Sequence, residues 1–173
     1  MLRTVNVLRH LSRHDGLTGV LNRRAFEEAL RDEWLRARRG GGAFSVVLLD
    51  LDHFKQVNDR LGHQAGDLAL AHAAQQLKAV ARGSDLVARY GGEEFALVLP
   101  DVDAEGAAAA AQRLLQRLRS TPLKVGEAEL VVTASAGVAQ CSSADADDHE
   151  ALRRADAALY RAKAEGRDRV QIA

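Results

Sequence analysis

The sequence predicts an α+β domain built on a central, mainly antiparallel sheet flanked by helices. Residues 44–52 form an apolar run rich in β-branched residues, which reads as a strand buried on both faces. Residues 85–90 and 95–100 read as two further strands joined by a tight hairpin at Gly91-Gly92, the second stopped by Pro100. Segments with helical spacing separate these strands, and a second hairpin is inserted around Gly126. No internal repeat interrupts the alternation.

Composition narrows the classes. A chain of 173 residues with 47% apolar residues suits one domain with a proper core. The 24 basic and 24 acidic residues cancel, so no overall basic field points to nucleic acid, and any anion must be held locally. Cys141 is the single cysteine, which excludes an internal disulfide and a cysteine-rich zinc site and fits a reducing compartment. No apolar run reaches the roughly 18 residues that span a membrane, and residues 1–14 lack the apolar block of a signal peptide.

Taken in order, Leu2, Val5, Leu8 and Leu11 are spaced for one face of a helix over residues 1–13. That helix either packs as a plain N-terminal helix or is the stub of a connector. The domain proper is expected over residues 14–173. Residues 15–24 form a glycine-containing loop, and Asn22 is a suitable N-cap for a helix carrying Phe26, Leu30, Trp34 and Leu35. Gly40-Gly41-Gly42 ends it. After the buried strand, residues 53–59 open a short helix, and a longer one carries Leu68, Leu70, Ala74, Leu77 and Val80. An alanine-rich helix spans residues 103–119, the hairpin at Gly126 leads into a strand expected to continue through Ala139, and a last helix carries Leu152, Ala155, Leu159 and Ala162 to Gly166. Residues 169–172 close as an edge strand.

Two places concentrate chemistry. Asp50 and Asp52 end the buried strand and share one side by alternation, at a sheet edge of the kind where ligands bind, unless they are merely solvated. The turn Gly91-Gly92 is bare of side chains and is followed by Glu93 and Glu94. Such a turn lets a phosphate approach backbone N–H groups while a cation sits on the carboxylates; the plainer reading is an ordinary hairpin with solvated glutamates.

The stretch Gly91-Gly92-Glu93-Glu94-Phe95 resembles the motif that names the GGDEF family of diguanylate cyclases, in its form with glutamate in third place. The resemblance extends in order over residues 15–170, which include the loop at Asp15, the run 50–59, the segment 61–67, Arg82-Gly83-Ser84-Asp85 and the helix end at Lys163 and Arg167. It implies a fold similar to the palm of nucleotide cyclases and polymerases, with a βαββαβ core. It also implies a reaction: two GTP molecules joined into cyclic di-GMP with release of two pyrophosphates, in a two-fold homodimer.

The resemblance assigns roles residue by residue. Asp50, the Leu51 carbonyl, Glu93 and Glu94 would hold Mg²⁺ or Mn²⁺, hard cations that prefer oxygen ligands. Glu94 would be either a second metal ligand or the base, and Lys55 would neutralise charge on the transferred phosphoryl group. Phe54, Asn58, His63, Asp67, Gly91 and Gly92 would line the nucleotide pocket. There the Asp67 carboxylate suits the N–H groups of guanine and the Asn58 amide suits its carbonyl, although each residue also suits a helix cap. Lys163 and Arg167 would bind the β- and γ-phosphates; on their own they could simply oppose a helix dipole.

Arg82 and Asp85 match the family's inhibitory product site, with Arg113 as a second arginine acting across a dimer; otherwise they form a local salt bridge. The family usually follows a regulatory module, so a sensory domain in a longer, cytoplasmic or membrane-anchored parent chain is expected. Competing readings are a non-catalytic cyclic di-GMP receptor and a dimerising signalling module.

Overall fold

The computed structural model describes residues 13–173, so the helix expected over residues 1–13 lies, but for Arg13, outside the described residues. The main sheet takes its strands from across the chain: β1 (Phe44–Leu51), β2 (Leu86–Arg89), β3 (Glu94–Pro100), β6 (Ala134–Cys141) and β7 (Val170–Ile172). Their order is β2-β3-β1-β6-β7, antiparallel except for the β6–β7 pair. A separate ribbon pairs β4 (Leu123–Val125) with β5 (Ala128–Leu130). The helices are α1 (Arg23–Arg38), α2 (Phe54–Leu61), α3 (His63–Val80), α4 (Ala104–Ser120) and α5 (Glu150–Ala164).

Strand β1 is buried along its whole length, and its alternation divides the core in two. Val47, Leu49 and Leu51 face Leu70, Ala74 and Leu77 of α3 and Leu114 and Leu118 of α4. Phe44, Val46 and Leu48 face Phe26 and Leu30 of α1 and Leu152 and Leu159 of α5. Helix α5 lies so close to β6 that a Cβ at Gly137 would collide with the Ala155 carbonyl oxygen and the Leu159 backbone nitrogen. The helix starts follow local chemistry. The Asn22 side chain accepts from Ala25 N at 2.9 Å, and Asp103 accepts from Gly106 N at 2.8 Å.

Two local expectations fail. The hairpin at Gly126 forms, with its glycine at φ 60°, but its second strand stops at Leu130, and the chain changes sheets before β6 begins at Ala134. The switch occurs because the small ribbon is largely exposed whereas β6 must lie buried beside β1, with the Thr133 carbonyl turned to accept from Asp52 N at 2.9 Å. The second concerns Gly91 and Gly92, neither of which adopts the left-handed conformation expected of the β2–β3 turn. The turn closes instead by Tyr90 N (2.8 Å) and Gly91 N (3.2 Å) donating to the Glu94 carbonyl. A Cβ at Gly91 would strike the Glu94 carboxylate, so glycine there leaves room for Glu94 in its present position.

Candidate active site

The antiparallel pairing of β1 with β3 sets Asp50 directly across from Glu94 at one end of the sheet. Leu51 N donates to the Glu93 carbonyl at 3.2 Å, which ties the acidic turn to the end of β1. From the other side, α5 brings Lys163 Nζ to 2.9 Å from Asp50 Oδ2. Asp50, Glu93, Glu94 and Lys163, drawn from three distant stretches of sequence, therefore meet at one sheet edge.

The electrostatics of this edge are strained in the ligand-free chain. Burial pushes the Asp50 carboxyl above its ordinary range, against the pull of Lys163 and Arg167 and with a further push from Asp52. Burial likewise raises Glu93, and the nearby Asp50 and Glu94 charges add to it. Two desolvated carboxylates that repel each other are a place where a divalent cation is favoured. Among the described residues, no group of three or more His, Cys, Asp or Glu side chains could hold a metal by itself. A cation here would take two carboxylates and complete its shell with backbone and phosphate oxygens. This donor set fits Mg²⁺ or Mn²⁺, which commonly bind through one or two carboxylates plus substrate phosphates.

Beyond Asp50 the chain turns through His53, which is left-handed at φ 55°, into α2. Lys55 lies exposed on the first turn of α2 and forms no ion pair among the described residues. Asn58 and Phe54 both pack on Gly66, where a Cβ would collide with Asn58 Oδ1 and come within 3.1 Å of Phe54 Cζ. That contact sets Asn58 beside Asp67, the next residue of α3, while His63 opens the same helix. Among the described residues, Asn58 Oδ1 is buried without a hydrogen-bond partner. Phe54 and Asn58 of α2 thus meet α3 at Gly66, next to Asp67 in the chain.

The helix end carrying Lys163 is built as a Schellman motif. Gly166 N donates to the Lys163 carbonyl at 3.4 Å, and Arg167 N donates to the Ala162 carbonyl at 3.0 Å. Arg167 is exposed and close enough for its charge to act on Asp50.

Arg82 and Asp85 stand apart from this edge. Arg82 N donates to Asp85 Oδ2 at 2.8 Å, and Arg82 Nη2 lies 3.2 Å from Oδ1. They border a groove of about 410 Å³ shared with Gly19, Lys78 and the start of β2. Arg113 is exposed on α4 and does not line that groove.

Sequence reasoning missed three contacts. Arg89 donates to the Gly92 carbonyl through Nη2 (2.8 Å) and Nε (3.1 Å), while its Nη1 reaches Asp15 Oδ1 at 3.3 Å. It clamps the acidic turn to the N-terminal loop. Asp52 is buried rather than solvated, 9% exposed, and accepts from Thr133, Ser135 and Asp168. The Lys163–Asp50 pair is the third. Only Asp52 had a signal: Thr133 and Ser135 are polar at alternate positions around the start of a buried strand, which implies a buried acceptor opposite.

Comparison with known proteins bears on this site. The family model described as "Diguanylate cyclase, GGDEF domain" matches residues 12–169. The chain is 39% identical over 166 residues to the probable diguanylate cyclase DgcC of Escherichia coli, covering 96% of this chain and 44% of that protein. It is 42% identical over 163 residues to diguanylate cyclase DgcP of Pseudomonas aeruginosa, covering 92% of this chain and 24% of that protein. It therefore spans less than half the length of either relative. The crystal structure of the coiled coil and GGDEF domain of DgcB from Caulobacter crescentus in complex with c-di-GMP superposes with TM-score 0.93 at 34% identity, over 99% of this chain and 91% of that one. Diguanylate cyclase SiaD of Pseudomonas aeruginosa, solved with its activator SiaC, superposes with TM-score 0.92 at 40% identity, over 100% and 66%.

Proposed function

The chain belongs to the GGDEF family of diguanylate cyclase domains, and from that premise we propose that it condenses two GTP molecules into cyclic di-GMP with release of two pyrophosphates. The observation that carries the reading is the meeting of Asp50, Glu93, Glu94 and Lys163 at one sheet edge, with Lys163 Nζ 2.9 Å from Asp50 Oδ2. Asp50, Glu93 and the Leu51 carbonyl would hold Mg²⁺ or Mn²⁺. When bound, the cation polarises the α-phosphate and lowers the pKa of the attacking 3′-hydroxyl.

The chain's own residues do the rest. Asn58 Nδ2 donates to the guanine carbonyl, Asp67 accepts from the guanine N–H groups, and Phe54 and His63 border the pocket. The bare Gly91-Gly92 turn admits the phosphates. Lys163 and Arg167 bind the terminal phosphates, and Lys55 offsets charge on the transferred group. Glu94, across from Asp50, either shares the cation or takes the proton of the hydroxyl. One domain binds one GTP, so two copies must face each other about a two-fold axis, each supplying a hydroxyl to the other's α-phosphate. The groove at Arg82 and Asp85, with Arg113 from a second copy, is read as a product-inhibition site. A regulatory module in a longer, cytoplasmic chain would set how the copies meet.

The test is GTP turnover with Mg²⁺ over a wide range of protein concentration, with products identified by mass. Bound product is first stripped with a phosphodiesterase, and a Glu93→Ala, Glu94→Ala variant serves as control. Cyclic di-GMP formed with more than first-order dependence on protein, and lost in the variant, supports the reading. GTP left intact at high concentration while cyclic di-GMP binds would replace it with the receptor reading.

A further inference from the structure

We propose that Asp52 is a positioning residue that holds the turn after α5 in the shape that aims Arg167 at the nucleotide phosphates. This rests on the phosphate role given to Lys163 and Arg167 above. Gly166, Arg167 and Asp168 are all left-handed, at φ 116°, 65° and 48°. Two successive non-glycine residues in that region are disfavoured and persist only where surrounding bonds fix them. The Schellman bonds fix the turn as far as Arg167 N, leaving the Asp168 N–H in need of an acceptor.

Asp52 supplies that acceptor. Its Oδ2 lies 3.0 Å from Asp168 N and 2.9 Å from Thr133 Oγ1, and its Oδ1 lies 2.7 Å from Ser135 Oγ. The carboxylate thus pins the turn to the end of β1 and the entry to β6, two residues from Asp50. The Asp168 side chain makes an ion pair with Arg119 Nη1 at 2.7 Å, in which both side chains are partly exposed. Exposed pairs hold weakly. Without Asp52 the Asp168 N–H loses its acceptor, and the left-handed pair keeps only that ion pair and the bond from Arg169 Nε to the Arg167 carbonyl at 3.1 Å, so the Arg167 side chain swings off the edge it shares with Asp50.

A purely structural acceptor and a positioning residue are separable by experiment. Amide exchange at Asp168, read by NMR on the ligand-free chain, should accelerate about tenfold or more in Asp52→Ala while core amides keep their protection. GTP affinity by calorimetry should fall about tenfold, with guanosine affinity unchanged, because only the terminal phosphates lose their partner. Adding Arg167→Ala to Asp52→Ala should weaken GTP little further. Asp52→Asn should recover most of the affinity, since its amide oxygen can accept from Asp168 N while its NH₂ donates to Ser135 Oγ.

A Thr133→Val, Ser135→Ala variant removes the other two donors to Asp52 and should leave the ratio of GTP to guanosine affinity intact. Should Asp52→Ala not fold, Asp52→Glu, which keeps the charge but misplaces the oxygens, should show the same selective loss. Equal losses for GTP and guanosine, full additivity with Arg167→Ala, or unchanged exchange at Asp168 would each overturn the proposal. If the unaltered chain bound no GTP, the cyclase reading would fall instead, and the exchange result alone would decide whether Asp52 holds the turn.

Discussion

Lys163 Nζ sits 2.9 Å from Asp50 Oδ2, so the ligand-free chain sets a lysine cation against one of the carboxylates assigned to the metal. The pair is partly buried, and Asp50 itself is 8% exposed. Burial alone would drive Asp50 towards its neutral form, and Lys163 is the strongest influence opposing that. The same lysine is expected to contact phosphate. Its ammonium has three donors, so on the proposed reading it reaches phosphate from beside Asp50, which couples phosphate binding to a carboxylate assigned to the metal.

Lys163→Met tests this coupling, because it removes the charge and keeps much of the stem. GTP affinity should fall about 10- to 100-fold, the usual consequence of losing a charge-assisted bond. In the ligand-free variant, Asp50 should protonate at a higher pH than in the unaltered chain. The sign follows from linkage. With a folded pKa above the ordinary 3.8, ionised Asp50 opposes folding, so its contribution falls as pH rises from 3.8 through the folded value. Losing Lys163 extends that window upward. Carboxyl NMR titration reads the shift, and unchanged GTP affinity would remove Lys163 from the phosphate site.

The two glycines of the acidic turn should respond differently. Neither needs a left-handed backbone, and a Cβ at Gly92 meets nothing within 4 Å. Gly92→Ala should therefore fold with Glu94 undisturbed, and its loss should fall on GTP affinity, because the methyl stands on the turn proposed to admit the phosphates. A Cβ at Gly91 meets the carboxylate end of Glu94, a flexible group that can move aside. Gly91→Ala should also fold, with its melting temperature within a few degrees, but with Glu94 displaced and turnover down about tenfold or more. Equal turnover of the two variants at saturating GTP would count against a catalytic position for Glu94.

Arg89 joins the acidic turn to the loop at Asp15, and its removal should reach both. Burial tends to raise the Asp15 carboxyl, but bonds from Thr18 N (2.9 Å) and Thr18 Oγ1 (2.6 Å), with the charge of Arg89, hold it below 3.8. A depressed acid stabilises the fold fully above 3.8 and loses that contribution as pH falls through the folded value. Arg89→Ala should cost about 1 kcal/mol near neutrality and free the Gly92 carbonyl, lowering turnover. The difference in melting temperature between the variant and the unaltered chain should shrink in acid, as Asp15 protonates. A difference that stays constant from neutral pH to pH well below 3.8 would show that the Asp15–Arg89 pair contributes nothing.

The sequence made most of the framework legible because the signals were local. The β-branched run at residues 44–51, the Asn22 cap and the stop at Gly166 each act within a few residues of chain. The acidic turn was legible as a motif, yet the reason for its glycine was misread. Room for the Glu94 side chain depends on how that side chain folds back over the turn, which the order of residues does not show, whereas glycine's tolerance of a left-handed turn is read from the residue itself. The strand after Gly126 was run through to Ala139 because Val131 and Val132 keep its β character. Nothing in one-dimensional patterning marks a change of sheet. The contacts Lys163–Asp50, Arg89–Asp15 and Asp52–Asp168 join positions 74 to 116 residues apart, and only the folded sheet brings them together.

Gly66 offers the sharpest test of the nucleotide corner. It lies inside α3, where glycine is ordinarily unfavourable by about 1 kcal/mol relative to alanine, so Gly66→Ala would be stabilising on propensity alone. The structure predicts the reverse locally. The new methyl would overlap Asn58 Oδ1 and crowd Phe54, and neither can retreat without opening the α2–α3 contact. The expected outcome is a folded protein whose Asn58 amide is pushed out of register with Asp67. GTP affinity should fall about tenfold, and preference for GTP over ATP should narrow, because guanine reading is lost while Lys163 and Arg167 still bind triphosphate. Competition binding with the two nucleotides decides it. A variant that loses GTP and ATP in equal measure would place the guanine contacts elsewhere.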